Sequence, residues 1–130
     1  MPAPKLEPLS EGEWKVMRIV WERKACDARD VYQQARKDYG WAASTAKTFL
    51  RRLVQKGYLE TTRIGNSFLY RPIHSSFEPL RLVVDNLLAY AMDETVAPLL
   101  AYIVKKNKLS SQDLAELRAL LDECDPGREE

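Results

Sequence analysis

The sequence predicts a mainly α fold with a small β-hairpin, and three observations lead there. Apolar residues recur at spacings of three and four through six stretches of chain, the period of an amphipathic helix. One stretch, LETTRIGNSFLYRP, breaks that period, with β-branched and aromatic residues flanking Gly65-Asn66, a pair that suits a tight turn. Residues that start and stop helices stand at the ends of the periodic stretches.

Taken in order, residues 1–8 hold three prolines and no periodicity, so a flexible tail is expected. Ser10 and Glu13 form a Ser-x-x-Glu capping box ahead of a first helix over about 11–23, with Trp14, Met17, Val20 and Trp21 on one face. Asp27 caps a second helix with the stripe Ala28, Val31, Tyr32 and Ala35, and Gly40 stops it. The third helix carries Ala46, Phe49, Leu50, Leu53 and Val54 on its apolar side. Gly57 ends it as a left-handed cap, and the hairpin follows as 59–64 paired with 67–72. Beyond Pro72, one helical stripe runs from Phe77 to Ala91 and another from Val96 to Val104. A last helix begins at Ser110, with Leu114, Leu117 and Leu121, and the closing DPGREE reads as frayed.

Composition excludes several classes. Of 130 residues, 45% are hydrophobic and 30% charged, an ordinary soluble balance. No apolar run reaches the ~18–20 residues of a membrane span, so no membrane partner is expected. The N-terminus lacks a basic stretch followed by an apolar one, which together with two unpatterned cysteines points to the cytoplasm. Cys26 and Cys124 form no CxxC, and His74 is the one histidine, so neither a metal site nor a cofactor is indicated. With no nucleophile–base pair and no glycine-rich phosphate loop, an enzyme is not expected. Trp14, Trp21, Trp41 and His74 are read as structural.

Charge is segregated. Residues 1–74 carry 14 Lys/Arg against 8 Asp/Glu, while residues 75–130 carry 6 against 11. A basic half joined to an acidic half is what a nucleic-acid module with a separate self-association module would show.

Three helices and a hairpin in that order describe a winged helix-turn-helix. The face of the third helix opposite its apolar stripe holds Ser44, Thr45, Lys47, Thr48, Arg51, Arg52 and Gln55 and no acid. A recognition helix buries one side and presents donors on the other, its N-terminal residues reaching base edges in the major groove. Thr45, Lys47 and Thr48 occupy that position; a lysine can donate to guanine O6/N7 and a threonine methyl can meet a thymine methyl. Ser44, Arg51 and Arg52 suit phosphates. Arg63 and Arg71 flank the wing, where backbone contact is expected.

The segments LSEGEWKVMRIVWE, GWAASTAKTFLRRLVQKGYLE, FLYRPI and KLSSQDLAELRALLDE resemble the penicillinase-repressor (BlaI/MecI) family of bacterial transcriptional regulators, from about residue 9 to residue 123. The resemblance implies a dimeric winged-helix repressor of the kind that governs antibiotic-resistance genes. It places Thr45, Lys47 and Thr48 on the base-contacting helix, with Ser44 at its leading edge. Ala42 stands where a serine is often found, so the helix cap is lost or moves to Ser44. In β-lactam-responsive members a sensor-coupled protease cuts an Asn-Phe bond in the second helix of the C-terminal domain. This chain reads LLAYIVKK there, which makes Ala101, Tyr102 and Ile103 the cleavage locus if cutting occurs. The copper-responsive branch ends in paired Cys-x-Cys motifs, where this chain has only Cys124.

The expected organisation is therefore a tail over 1–8, a winged-helix DNA-binding domain over 9–73, a three-helix dimerisation domain over 74–124 and a frayed tail over 125–130. Leu80, Val84, Leu87, Leu100, Ile103 and Leu117 are the expected dimerisation residues, because so short a bundle carries more apolar surface than it can bury alone. The expected partners are a double-stranded inverted-repeat operator and a second copy of the chain. Two other readings are a winged-helix protein–protein adaptor and a repressor switched by redox or metal chemistry at the two cysteines.

Overall fold

The computed structural model describes residues 6–125. The elements are α1 (Glu11–Arg23), β1 (Cys26–Asp27), α2 (Ala28–Tyr39), α3 (Ala43–Gln55), β2 (Leu59–Ile64), β3 (Ser67–Pro72), α4 (Phe77–Leu88), α5 (Asp93–Asn107) and α6 (Ser111–Cys124). The chain divides into two compact units, one running to Asn86 and the other starting at Leu87, so the last residues of α4 fall in the second.

Local chemistry accounts for the helix ends. The Ser10 hydroxyl accepts from the Glu13 N–H at 3.2 Å while the Glu13 carboxylate accepts from the Ser10 N–H at 2.8 Å. Asp27 and Asp30 make the same reciprocal pair ahead of α2. Each box satisfies two N–H groups that the first helical turn would otherwise leave bare. Gly40 closes α2 with φ 69°, a conformation that costs glycine nothing. Ser110 caps α6 by accepting from the Asp113 N–H.

The three strands form one antiparallel sheet in the order β1-β3-β2. β2 and β3 pair from Leu59↔Pro72 to Ile64↔Ser67, the hairpin bounds expected from sequence. Gly65 turns it with φ 60°, while Asn66 stays out of the left-handed region, as a type II′ turn requires. β1 is an addition to the sequence reading: Cys26 and Asp27 pair with Tyr70 and Leu69. Two residues are too few to show alternation, and they become a strand only where the free edge of β3 reaches them.

The core of the first unit sits around α1. Val16, Met17, Ile19 and Val20 are buried with Val31 and Ala35 of α2, Ala46, Leu50 and Leu53 of α3, and Tyr58 and Leu59 of the wing. The buried face of α1 is thus rotated from the expected one: Val16 and Ile19 replace Trp14 and Trp21, whose rings are half-buried. α1 packs against α2, α3 and β3 at once, which calls for slim side chains at its centre and puts the indoles at the rim. Val54 is exposed rather than buried, at the edge of the α3 stripe. Packing between α1 and α3 is close at Gly12, where a Cβ would lie 2.3 Å from the Phe49 ring.

The tail expectation needs correction from residue 6 onward. Leu6 and Leu9 pack on the core, the Tyr58 hydroxyl donates to the Glu7 carbonyl, and the Lys56 ammonium donates to the Pro8 carbonyl at 3.1 Å. Apolar burial and two long-range hydrogen bonds hold what local composition alone marks as loose. Residues 1–5 of that tail, and residues 126–130 of the C-terminal one, lie outside the described residues.

In the second unit, α5 and α6 contain no fully buried residue. Pro98 lies inside α5, where it supplies no N–H to the helix ladder.

Candidate nucleic-acid interface

α3 is set by what lies on either side of it. Gly40 and Trp41 make the turn from α2, with Trp41 between Tyr39 and Phe49 at ring-centroid distances of 5.3 and 5.1 Å. The Lys15 ammonium stands 5.0 Å from the centroid of Tyr39 and 5.9 Å from that of Trp41, so a cation from α1 seals the same cluster. Trp41 thus packs within an aromatic cluster between α2 and α3, in keeping with its structural reading from sequence. At the other end Lys56, the C-terminal cap of α3, lies 2.7 Å from the Glu13 carboxylate, which is 1% exposed.

That ion pair is the principal feature that sequence reasoning missed. Burial pushes the Glu13 carboxyl up, but hydrogen bonds and charge from Lys56 and the Ser10 N–H outweigh it and leave the group below its ordinary value. The one signal available was the capping box, which marks Glu13 as a helix-start residue and is silent about a partner 43 positions away.

The start of α3 resolves the question raised by Ala42. Ala42 itself is the N-cap, with φ −70° and ψ 154°, and no side chain caps the helix. The cap is lost and does not move to Ser44, which lies within the first turn. The Thr45 N–H turns back to the Ala42 carbonyl at 3.1 Å, and the N–H groups of Ala43 and Ser44 ahead of it receive no side-chain cap, at the end where a helix favours anions.

Around α3, Ala46, Leu50 and Leu53 face the core; Ser44, Lys47, Arg51 and Arg52 are exposed; Thr45 and Thr48 are half-buried. The Thr48 hydroxyl donates to the Ser44 carbonyl at 3.0 Å, which occupies its proton and leaves its methyl and lone pairs for a ligand. The Arg52 guanidinium lies 5.7 Å from the Phe49 centroid, fixed against the aromatic cluster. In the wing, Arg63 donates to the Gly65 carbonyl at 3.1 Å, folding back on the turn, while Arg71 is exposed and in register with Glu60. The α3 residues thus share one helix face, and the two wing arginines lie on the adjacent hairpin.

The expected dimerisation residues Leu80, Val84, Leu87, Leu100 and Ile103 are exposed in the single chain, and Leu117 is half-buried. Ala101, Tyr102 and Ile103 are exposed on α5. Cys26 is buried, and burial with the nearby Asp30 carboxylate pushes its thiol up to about 11; Cys124 is exposed. Among the described residues no group of three or more His, Cys, Asp or Glu side chains could hold a metal ion, and no helix is long and apolar enough to cross a membrane.

Two helices joined by a tight turn, a basic second helix and a β-hairpin following it define a winged helix-turn-helix of the DNA-binding class. The family profile described as Penicillinase repressor matches residues 9–123, and the chain belongs to that family. It is a family of DNA-binding transcriptional repressors, not of enzymes. The chain is 24% identical over 119 residues to a penicillinase repressor of Bacillus licheniformis, spanning 92% of this chain and 93% of that protein. It is 25% identical over 118 residues to the methicillin resistance regulatory protein MecI of Mammaliicoccus sciuri, spanning 91% and 96%. The solution structure of the Bacillus licheniformis BlaI monomeric form in complex with the blaP half-operator superposes with a TM-score of 0.50 at 29% identity, covering 55% of this chain and 88% of that one.

Proposed function

We propose that the protein is a cytoplasmic repressor that binds an inverted-repeat operator as a homodimer, with α3 in the major groove and the C-terminal helices joining the two copies. The observation that carries the reading is the α3 face: Lys47, Arg51 and Arg52 exposed on a helix with no acidic residue in its first turn and none along its length. Lys47, Thr45 and Thr48 read bases. Ser44, Arg51, Arg52, Arg63 and Arg71 hold phosphates. An adaptor using this surface would have to meet an acidic partner, whereas duplex DNA supplies regularly spaced negative charge without further assumption.

Dimerisation rests on apolar surface with no cover. Leu80 and Val84 in the first unit, and Leu87, Leu100, Ile103 and Leu117 in the second, are apolar side chains left exposed or half-buried in the single chain, of the kind obligate dimers bury. Release by a sensor-coupled protease acting at Ala101–Ile103 is supported by Pro98, which weakens α5 one turn before the locus. A peptide bond inside a helix reaches a protease only after local opening, and an interrupted hydrogen-bond ladder lowers that cost.

The test separates readout from attraction. Lys47→Ala should cost about 1–3 kcal/mol on the selected operator and much less on random duplex DNA. Arg52→Ala should weaken both alike and lower the salt slope by about one unit. Equal loss on both DNAs for Lys47→Ala would remove that residue from base recognition.

A further inference from the structure

One groove in the first unit has no residue assigned to DNA contact, and only Leu80 of its lining is among the proposed dimerisation residues. It has a volume of about 670 Å³, and all its lining residues precede Asn86. α1 contributes Trp14, Arg18 and Trp21 to one wall, α4 contributes Leu80 and Val83 to the other, and Tyr39 at the end of α2 completes it. We propose that this groove is an effector site for a small aromatic anion, and that filling it weakens DNA binding by α3. The second half of the proposal rests on the DNA-binding reading; the first half does not.

The chemistry of the walls selects the ligand. The volume lies in the range that small ligands fill, ~300–1,000 Å³. The rings of Trp14 and Trp21 pack on each other with centroids 5.9 Å apart at 56°, so together they make one aromatic wall against which a planar ring can lie, and Leu80 and Val83 are about half exposed on the α4 side. The groove is held open in advance, because the Trp21 indole N–H donates to the His74 carbonyl at 2.9 Å and ties α1 to the chain entering α4.

Charge decides the sign of the ligand. Lys15 and Arg18 both line the groove, against Glu22 alone. Lys15 is engaged with Glu11 at 3.7 Å and with the Tyr39 ring. Arg18 has no hydrogen bond or ion pair among the described residues, so its planar guanidinium is available for a two-point carboxylate contact.

The groove also has a physical route to the DNA-facing helix. Lys15 lies over Tyr39 and Trp41, Trp41 stacks on Phe49, and Phe49 carries Arg52. An anion in the groove competes for Lys15 and loosens the seal that sets the α2–α3 turn. Such a ligand acts only through its different affinity for the two arrangements, and that difference is what DNA binding reads.

The experiment titrates the full chain with 1-naphthoate while following tryptophan fluorescence, with 1-naphthalenemethanol as the neutral control. The expected result is saturable quenching by naphthoate, with the neutral analogue about tenfold weaker. Arg18→Gln should weaken naphthoate about tenfold and leave the neutral analogue unchanged. Val83→Trp should fill the groove and abolish binding while the sedimenting mass stays that of the unsubstituted protein. Saturating naphthoate should then lower affinity for duplex DNA about fivefold or more in the unsubstituted protein and not in Val83→Trp. Equal binding of the two probes, or no effect of Arg18→Gln, would overturn the anion site. A change of mass in Val83→Trp would overturn it in favour of a second copy seated on the same wall. Saturable quenching with unchanged DNA affinity would overturn the coupling. A ligand-free protein that binds no DNA at all would fault the DNA-binding reading and leave the fluorescence arm standing.

Discussion

The two ends of this chain draw on comparable apolar sequence and do different things with it. In the winged-helix unit, α1 lies where α2, α3 and β3 converge, and its Val16, Met17, Ile19 and Val20 vanish from solvent. In α5 and α6 no residue is fully buried, and Leu100, Tyr102, Ile103, Leu120 and Leu121 are each at least two-fifths exposed. The first region closes its own core because four elements share one centre. The second leaves the apolar residues of its amphipathic helices exposed in the single chain, the surface that the proposed dimer would cover. A division of this kind suits the repressor proposed above, in which reading would stay intact in each copy while the link between copies is made or broken.

The largest expected effect breaks the second region and spares the first. Replacing Leu100 and Ile103 together by Asp should leave a monomer by sedimentation, with the urea stability of the winged-helix unit unchanged. Operator affinity should fall about 10²–10⁴-fold, because the second half-site contact ceases to be intramolecular. A dimer that survives both charges would place the interface elsewhere.

The converse variant strikes the first region. Lys56→Ala leaves the Glu13 carboxylate buried without its cation and should cost about 3–5 kcal/mol in urea unfolding, with the sedimenting mass preserved under native conditions. The pH dependence has a definite sign. Glu13 has a depressed pKa in the folded state, so its contribution is whole above 4.5, its ordinary value, and disappears as the pH falls through the depressed one. In Lys56→Ala burial is opposed only by the Ser10 hydrogen bonds, so the Glu13 carboxyl should rise relative to the unsubstituted protein and acid should destabilise the variant less than it does that protein.

These two variants also mark what the sequence could and could not reveal. Helix starts at Ser10, Asp27 and Ser110, the stop at Gly40 and the hairpin around Gly65-Asn66 are local chemistry, legible because each cap or turn involves residues within a few positions. The basic face of α3 is legible for the same reason, since one helical period brings Lys47, Arg51 and Arg52 together. Contacts that depend on the assembled fold are not. Glu13 meets Lys56, Tyr58 meets Glu7, and Cys26 meets Tyr70 only after the helices have packed. The rotation of the α1 face belongs with these, because which stripe is buried depends on how many neighbours α1 acquires. The groove between α1 and α4 is invisible in the sequence for the same reason.

A smaller effect sharpens the reading of α3. Ala42 has the extended backbone of an N-cap and lacks only the side-chain acceptor. Ala42→Ser should therefore stabilise the winged-helix unit by about 1 kcal/mol, measured by urea unfolding, without altering the sedimenting mass. A neutral or negative result would mean that the existing bond from the Thr45 N–H to the Ala42 carbonyl already satisfies this end of α3.

The central claim is that two α3 helices, joined through the C-terminal unit, read one symmetric site. Selecting bound sequences from a random duplex pool with the full chain tests it most directly. The account predicts an inverted repeat, its half-sites separated by about one or more full turns of duplex, that the Leu100/Ile103 double variant no longer enriches as a whole. Enrichment of a single unsymmetrical site, or no enrichment above the starting pool, would contradict it.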